Sequence, residues 1–143
     1  MVTVELITSP DVPSSVTYVV IAVRYGGGWL FVRHRKRGGY ELPAGHPDEG
    51  EDSVTAAVRE LMEETGALDF TMEPVTWYSV DTGSGRQFGR LFLASVDTLG
   101  EITDKEEIED VRVFRRLPRG LSLPEVMTFL YRTAAAYLRY TRC

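Results

Sequence analysis

A single cysteine, Cys143 at the end of the chain, excludes an internal disulfide and leaves the body of the sequence without a thiol nucleophile. Histidine is nearly as scarce. His34 and His46 stand alone, with no second His or Cys at zinc-ligand spacing from either, so contact with a substrate or plain exposure is the reading left for them. Long apolar runs are also missing: the longest, around Val16 to Val23, is too short to span a bilayer. The N-terminal MVTVELITSP has no basic stretch followed by an apolar region. A soluble, cytoplasmic protein without a membrane partner is therefore expected. No Pro/Gly/Ser-rich linker, repeat or low-complexity run divides the chain. Its 143 residues, 43% of them hydrophobic, suffice for one core and are too few for two ordinary domains, so a single domain over residues 1–143 is expected.

Carboxylates are plentiful, and they are patterned. In the stretch GHPDEGEDSVTAAVRELMEETGA, from Gly45 to Ala67, residues Glu60, Glu63 and Glu64 fall at i, i+3 and i+4. On a helix these share one face roughly 100° wide, where three like charges repel one another and need a cation. A hard divalent ion such as Mg2+ suits them, because it takes one or two carboxylates directly and fills its other positions with water and substrate phosphates. Gly45, Pro47 and Gly50 mark a loop before the helix, and Asp48, Glu49, Glu51 and Asp52 place negative charge at its partially positive start, near Glu51 or Asp52. Val54, Val58, Leu61 and Thr65 form the expected buried stripe, Ala56 lies on the metal side, and Gly66 is placed to end the helix. A solvated acidic helix would leave the loop glycines, Glu51 and the lone Arg59 unexplained. The Arg59 fork is suited to holding Glu51 or Glu63 in position.

This pattern resembles the Nudix hydrolase box: Gly45, Glu51, Arg59, Glu60, Leu61, Glu63, Glu64 and Gly66 occupy its spaced positions, with Ala67 where the family usually has Ile, Leu or Val. The resemblance implies an α/β fold, the Nudix α/β/α sandwich with a mixed sheet. It implies Mg2+ (or Mn2+) as cofactor, metal ligation by Glu60, Glu63 and Glu64 with the Gly45 backbone carbonyl, and in-line attack of water on phosphorus. Family members take the water's proton with a box glutamate, here Glu60 or Glu64, or with a glutamate on a distal loop, here Glu106 or Glu107. A regulatory Nudix domain that only binds nucleotide would not need the three box glutamates, and an isomerase on this fold would want a Cys that the core lacks.

The net charge of −5 is unevenly spread. Of the 21 acidic residues, seven lie between Asp48 and Glu64 and six between Glu101 and Asp110. Arg33, Arg35, Lys36 and Arg37 precede the box, and Arg112, Arg115, Arg116 and Arg119 follow the second acidic run, which suggests a bipolar cleft for a nucleotide. Arg33 and Arg35 are the expected contacts for a phosphate tail, and Tyr40, just before the box loop, the expected stacking partner for a base. Pro74 and Tyr78 lie too close to Ala67 for the patterns of ADP-ribose diphosphatases or dinucleoside polyphosphate hydrolases. WLFVRHRKRGGYELPAGH and LPRGLSLPEVMTF look more like MutT-like nucleoside triphosphatases, including those acting on oxidised nucleotides or triphosphorylated RNA ends. The expected partner is thus a small nucleotide or an RNA 5′ end, with ADP-ribose or another nucleotide sugar as the alternative, for a protein that is a monomer or homodimer.

The remaining periodicities predict strands near Val16–Arg24 and Trp29–His34 around the glycine turn Gly26-Gly27-Gly28, and a short one at Tyr40–Leu42. Further strands are predicted near Phe70–Val80, Phe88–Val96 and Val111–Phe114, with a turn over Asp81 to Gln87. A C-terminal helix is predicted over Pro124–Tyr140, packing through Val126, Phe129, Leu130, Thr133, Ala134 and Leu138, and able to support a dimer.

Overall fold

The computed structural model describes residues 1–8 and 11–141; Cys143 lies outside them. Strands β1 (Thr3–Ile7), β2 (Tyr18–Tyr25), β3 (Gly28–His34), β4 (Tyr40–Glu41) and β5 (Ala44–Gly45) precede helix α1 (Ser53–Thr65). They are followed by β6 (Ala67–Asp81), β7 (Arg86–Leu99), β8 (Ile108–Phe114) and helix α2 (Pro124–Thr141). Among the described residues the strands form one mixed sheet in the order β1-β6-β7-β2-β3-β4, with β5 paired to β2 and β8 to β3. The β2–β7 pair is parallel, from Tyr18 opposite Gly89 to Arg24 opposite Ser95. β1, of five residues, and β5, of two, are too short to stand out as periodic segments.

Strand β2 reads as an unbroken apolar run because both its faces are covered. Val19, Ile21 and Val23 point to one side and pack with Ala56, Ala57 and Leu61 of α1. Val20 and Ala22 point to the other and pack with Met127, Leu130 and Ala134 of α2. The sheet is thereby enclosed between two helices, the expected α/β/α sandwich.

Helix α1 buries a face different from the predicted stripe, whereas α2 packs largely through the residues expected. On α1, Leu61 and Thr65 are buried as expected, but Val54 is 46% exposed and the inward residues are Ala56, Ala57, Glu60 and Glu64. Small alanines let the helix lie close on the sheet, so the face that seemed reserved for metal is also the packing face, and Ala56 fills core rather than leaving room for an ion. On α2, Met127 joins Leu130 and Ala134 in the core and Val126, Phe129 and Leu138 pack against it; Thr133, with the outer side of Phe129, lines an open groove beside Leu6 of β1.

Candidate active site

The ends of α1 are set by local chemistry. Asp52 caps the start, accepting the Thr55 N–H at 2.7 Å, and Gly66 ends the helix at φ 77° with its N–H on the Met62 carbonyl. Ahead of it the box loop is tied to Arg59. The guanidinium donates twice to Glu51 (2.9 Å each), to Glu60 (2.7 Å), to Glu63 (3.2 Å) and to the His46 carbonyl (3.1 Å). Arg59 therefore holds Glu51 and Glu63 together, where the sequence suggested one or the other. Its hydrogen bonds keep the Glu51 carboxyl down at about 2, helped by the Asp48 N–H, and the ring of carboxylates raises Arg59 itself. Gly45 of β5 lies so close to Glu60 that a Cβ there would strike the carboxyl group.

One helical turn on, Glu64 is 3% exposed and accepts the Ala44 N–H at 3.1 Å. Burial pushes its carboxyl up to about 9; the charges of Glu60, Asp104 and Glu41 add to the rise and the Ala44 hydrogen bond opposes it. Burial raises Glu60 as well, against the pull of Arg59. Glu64, Asp104 and Glu107 bring one carboxylate oxygen each to within 4.8 Å of one another. Three carboxyl oxygens around one point, one of them stripped of water, form a donor set that fits a hard divalent cation, which would bind their ionised form.

Asp104 and Glu107 reach this point because their loop is docked at both ends. The N–H groups of Thr103 and Asp104 donate to the Glu63 carbonyl in the last turn of α1, at 3.2 and 3.0 Å. The Arg35 N–H donates to the Glu107 carbonyl (2.7 Å) and its Nε to the Lys105 carbonyl (2.9 Å). His34 Nε2 stands 3.9 Å from Glu107 Oε2. Beside the cluster a cavity of about 430 Å³ is lined by Glu64, Glu107, Arg37, Glu41 and Gly45, with Val20, Tyr78, Val80, Val126 and Met127 as an apolar wall. Tyr18 and His46 meet at its edge with ring centroids 4.6 Å apart.

Residues 14–118 match the family model of the NUDIX domain, through the loop, helix and distal acidic segment just described. The chain belongs to the Nudix family. It is 31% identical over 113 residues, covering 79% of this chain and 71% of the other, to the Bacillus subtilis protein named "Putative 8-oxo-dGTP diphosphatase YtkD". A crystal structure of a mutant of the B. subtilis pyrophosphohydrolase BsRppH superposes with a TM-score of 0.82 at 25% identity, covering 98% of this chain and 90% of that one. A MutT NUDIX hydrolase from Burkholderia pseudomallei shares the fold, with a TM-score of 0.66 at 19% identity over 85% of this chain and 98% of that one.

Against this Nudix frame the predicted site residues divide. Glu64 and Glu107 are brought together, whereas Glu60 and Glu63 are held by Arg59 and Glu106 is exposed outside the cluster. Tyr40 is 6% exposed, packed edge-on against Phe114 at 5.0 Å, and does not line the cavity. Arg33 lies over the Tyr40 ring at 4.6 Å and Arg35 is committed to the acidic loop, so neither reaches the cavity. Alternation along β3 explains Arg33, since a one-residue step in a strand changes the face. Asp104 was missed. Its side chain accepts the Glu107 N–H at 3.2 Å, the short-range turn for which an Asp before Lys-Glu-Glu is suited, and that turn is the sequence feature that marks it.

Proposed function

We propose that this Nudix pyrophosphohydrolase cleaves a phosphoanhydride bond in a nucleoside triphosphate or a triphosphorylated RNA end, with Mg2+ or Mn2+ held by Glu64, Asp104 and Glu107. The observation that carries this reading is the convergence of those three carboxylates beside a cavity with an apolar wall. The bound cation supplies neutralisation of phosphate charge and a water of lowered pKa. In this reading Glu107, the exposed member of the three, accepts the proton of the attacking water on the carboxylate oxygen that it does not offer to the cation. Arg59 and Gly45 keep Glu60 and the box loop fixed, so that Glu64 faces its partners without rearrangement. The apolar wall excludes water and suits a base. A triphosphate is favoured over ADP-ribose by the positions of Pro74 and Tyr78, by the MutT-like segments, and by the names that the B. subtilis relatives carry.

The test is product analysis with Mg2+ and a panel of nucleoside triphosphates, oxidised guanine nucleotides, ADP-ribose, dinucleoside polyphosphates and triphosphorylated RNA. Pyrophosphate or orthophosphate released from a triphosphate is expected, and a strong preference for ADP-ribose would refute the assignment. Glu64→Gln keeps the side chain's shape while removing its charge, and should lower activity by about a hundredfold or more.

A further inference from the structure

The cavity has to hold a polyanion, yet it is lined by Glu41, Glu64, Glu107 and Glu125. Arg37 is the one arginine or lysine among its lining residues. The turn after β3 is closed by the Gly38 N–H on the His34 carbonyl at 2.7 Å, with Gly38 at φ 75°, and Arg37 stands inside that turn. Its Nε and Nη2 donate to the two oxygens of Glu41 at 2.6 and 2.9 Å. The carboxylate side chain is 4% exposed and the guanidinium side chain 46% exposed. A buried anion thus fixes one edge of the fork, and Nη1 has no partner among the described residues. The charges of Glu64 and Glu107 also act on Arg37, which puts it within electrostatic reach of the carboxylate cluster, although the Glu41 hydrogen bond is the larger influence.

We propose that Arg37, preorganised by Glu41, is the anchor for the substrate's phosphate tail, the role that the sequence had suggested for Arg33 and Arg35. This deepens the triphosphate reading and rests on it for the identity of the substrate. A planar fork can bind a carboxylate along one edge and a phosphate along the other, which a lysine ammonium cannot do with the same geometry. Holding the side chain in advance lowers the entropy lost when phosphate binds.

The test is equilibrium binding of inorganic tripolyphosphate and of orthophosphate by calorimetry in Mg2+ buffer, with the ligand checked to be intact afterwards. Arg37→Ala should weaken tripolyphosphate binding by about tenfold or more, a charge-assisted contact's usual share, and orthophosphate binding by less. Arg37→Lys should fall between. Because Arg37→Ala leaves a buried carboxylate unpaired, the double variant Arg37→Ala/Glu41→Gln is measured beside it and should show the same loss. Arg132→Ala, which removes an equal charge from the exposed face of α2 outside the cavity, should bind as the wild type does. In turnover, Arg37→Ala should raise KM for a nucleoside triphosphate more than it lowers kcat. Unchanged tripolyphosphate affinity in both Arg37 variants, or an equal loss in Arg132→Ala, overturns the proposal. Loss of tripolyphosphate binding in a protein that prefers ADP-ribose would uphold Arg37 as a phosphate anchor and refute the triphosphate assignment alone.

Discussion

Two adjacent glutamates, Glu106 and Glu107, were indistinguishable in the sequence, and the structure separates them. Glu107 has an oxygen within 4.8 Å of Glu64 and Asp104, while Glu106 is exposed and outside the cluster. Glu107→Gln should therefore lower kcat by about a hundredfold or more, and KM much less, because proton removal is felt mainly in the transition state. Steady-state kinetics of the two single variants decides it, with Glu106→Gln expected to keep the wild-type kcat. A loss shared by both variants, or by neither, would return the base to Glu60 or Glu64. The spacing of Glu60, Glu63 and Glu64 was legible because one helix carries all three. Asp104 was not, because its place depends on backbone hydrogen bonds from Thr103 and Asp104 to the Glu63 carbonyl, which no local periodicity encodes. Arg33 and Arg35 stand outside the cavity lining for a related reason: charge is visible in a sequence, but the direction in which a strand-end side chain points is not.

At the scale of elements, caps and turns were readable and the buried face of α1 was not. Asp52 and Gly66 end the helix as their chemistry dictates. The stripe was misjudged because hydrophobicity placed Val54 and Val58 inward, whereas close approach to the sheet selects Ala56 and Ala57 and carries Glu60 and Glu64 in with them. Such crowding makes Gly45 a sensitive joint between β5 and α1. A methyl group at Gly45 would meet the Glu60 carboxyl, which Arg59 already holds at 2.7 Å. Gly45→Ala should cost stability of about 1–3 kcal/mol, the range for an overpacked contact, yet reduce kcat/KM by at least about tenfold, since the displaced carboxyl disturbs the network around Glu64. Chemical denaturation and kinetics on the same preparation separate the two effects. Full activity despite a measurable loss of stability would mean that Glu60 has no part in positioning the site.

Across the whole molecule, folding brings together the two acidic segments that lie far apart in the chain, the end of α1 and the loop before β8, and this concentration of charge has a thermodynamic consequence. Burial pushes the Glu64 carboxyl from an ordinary value of 4.5 up to about 9, and raises Glu60 in the same direction. Below about pH 4.5 the Glu64 carboxyl is protonated in both folded and unfolded chains, and its stabilising contribution is complete. Between about 4.5 and 9 the unfolded chain has released the proton and the folded chain has kept it, so stability must fall as pH rises, by at most about 1.4 kcal/mol per pH unit for one fully linked group. Glu51 and Asp52 are shifted downward, so they lose their stabilising contribution only at more acidic pH and do not mask this window. A divalent cation binds the ionised carboxylates, competes with the retained proton, and so stabilises the fold more as pH rises. Melting curves from pH 5 to 9 should accordingly show Tm falling in EDTA, Mg2+ restoring more of it at the alkaline end, and Glu64→Gln flattening both trends. A wild-type Tm that stays level or climbs in EDTA across this range would show that Glu64 enters the fold already ionised and compensated, and would remove the electrostatic argument for a cation at this cluster.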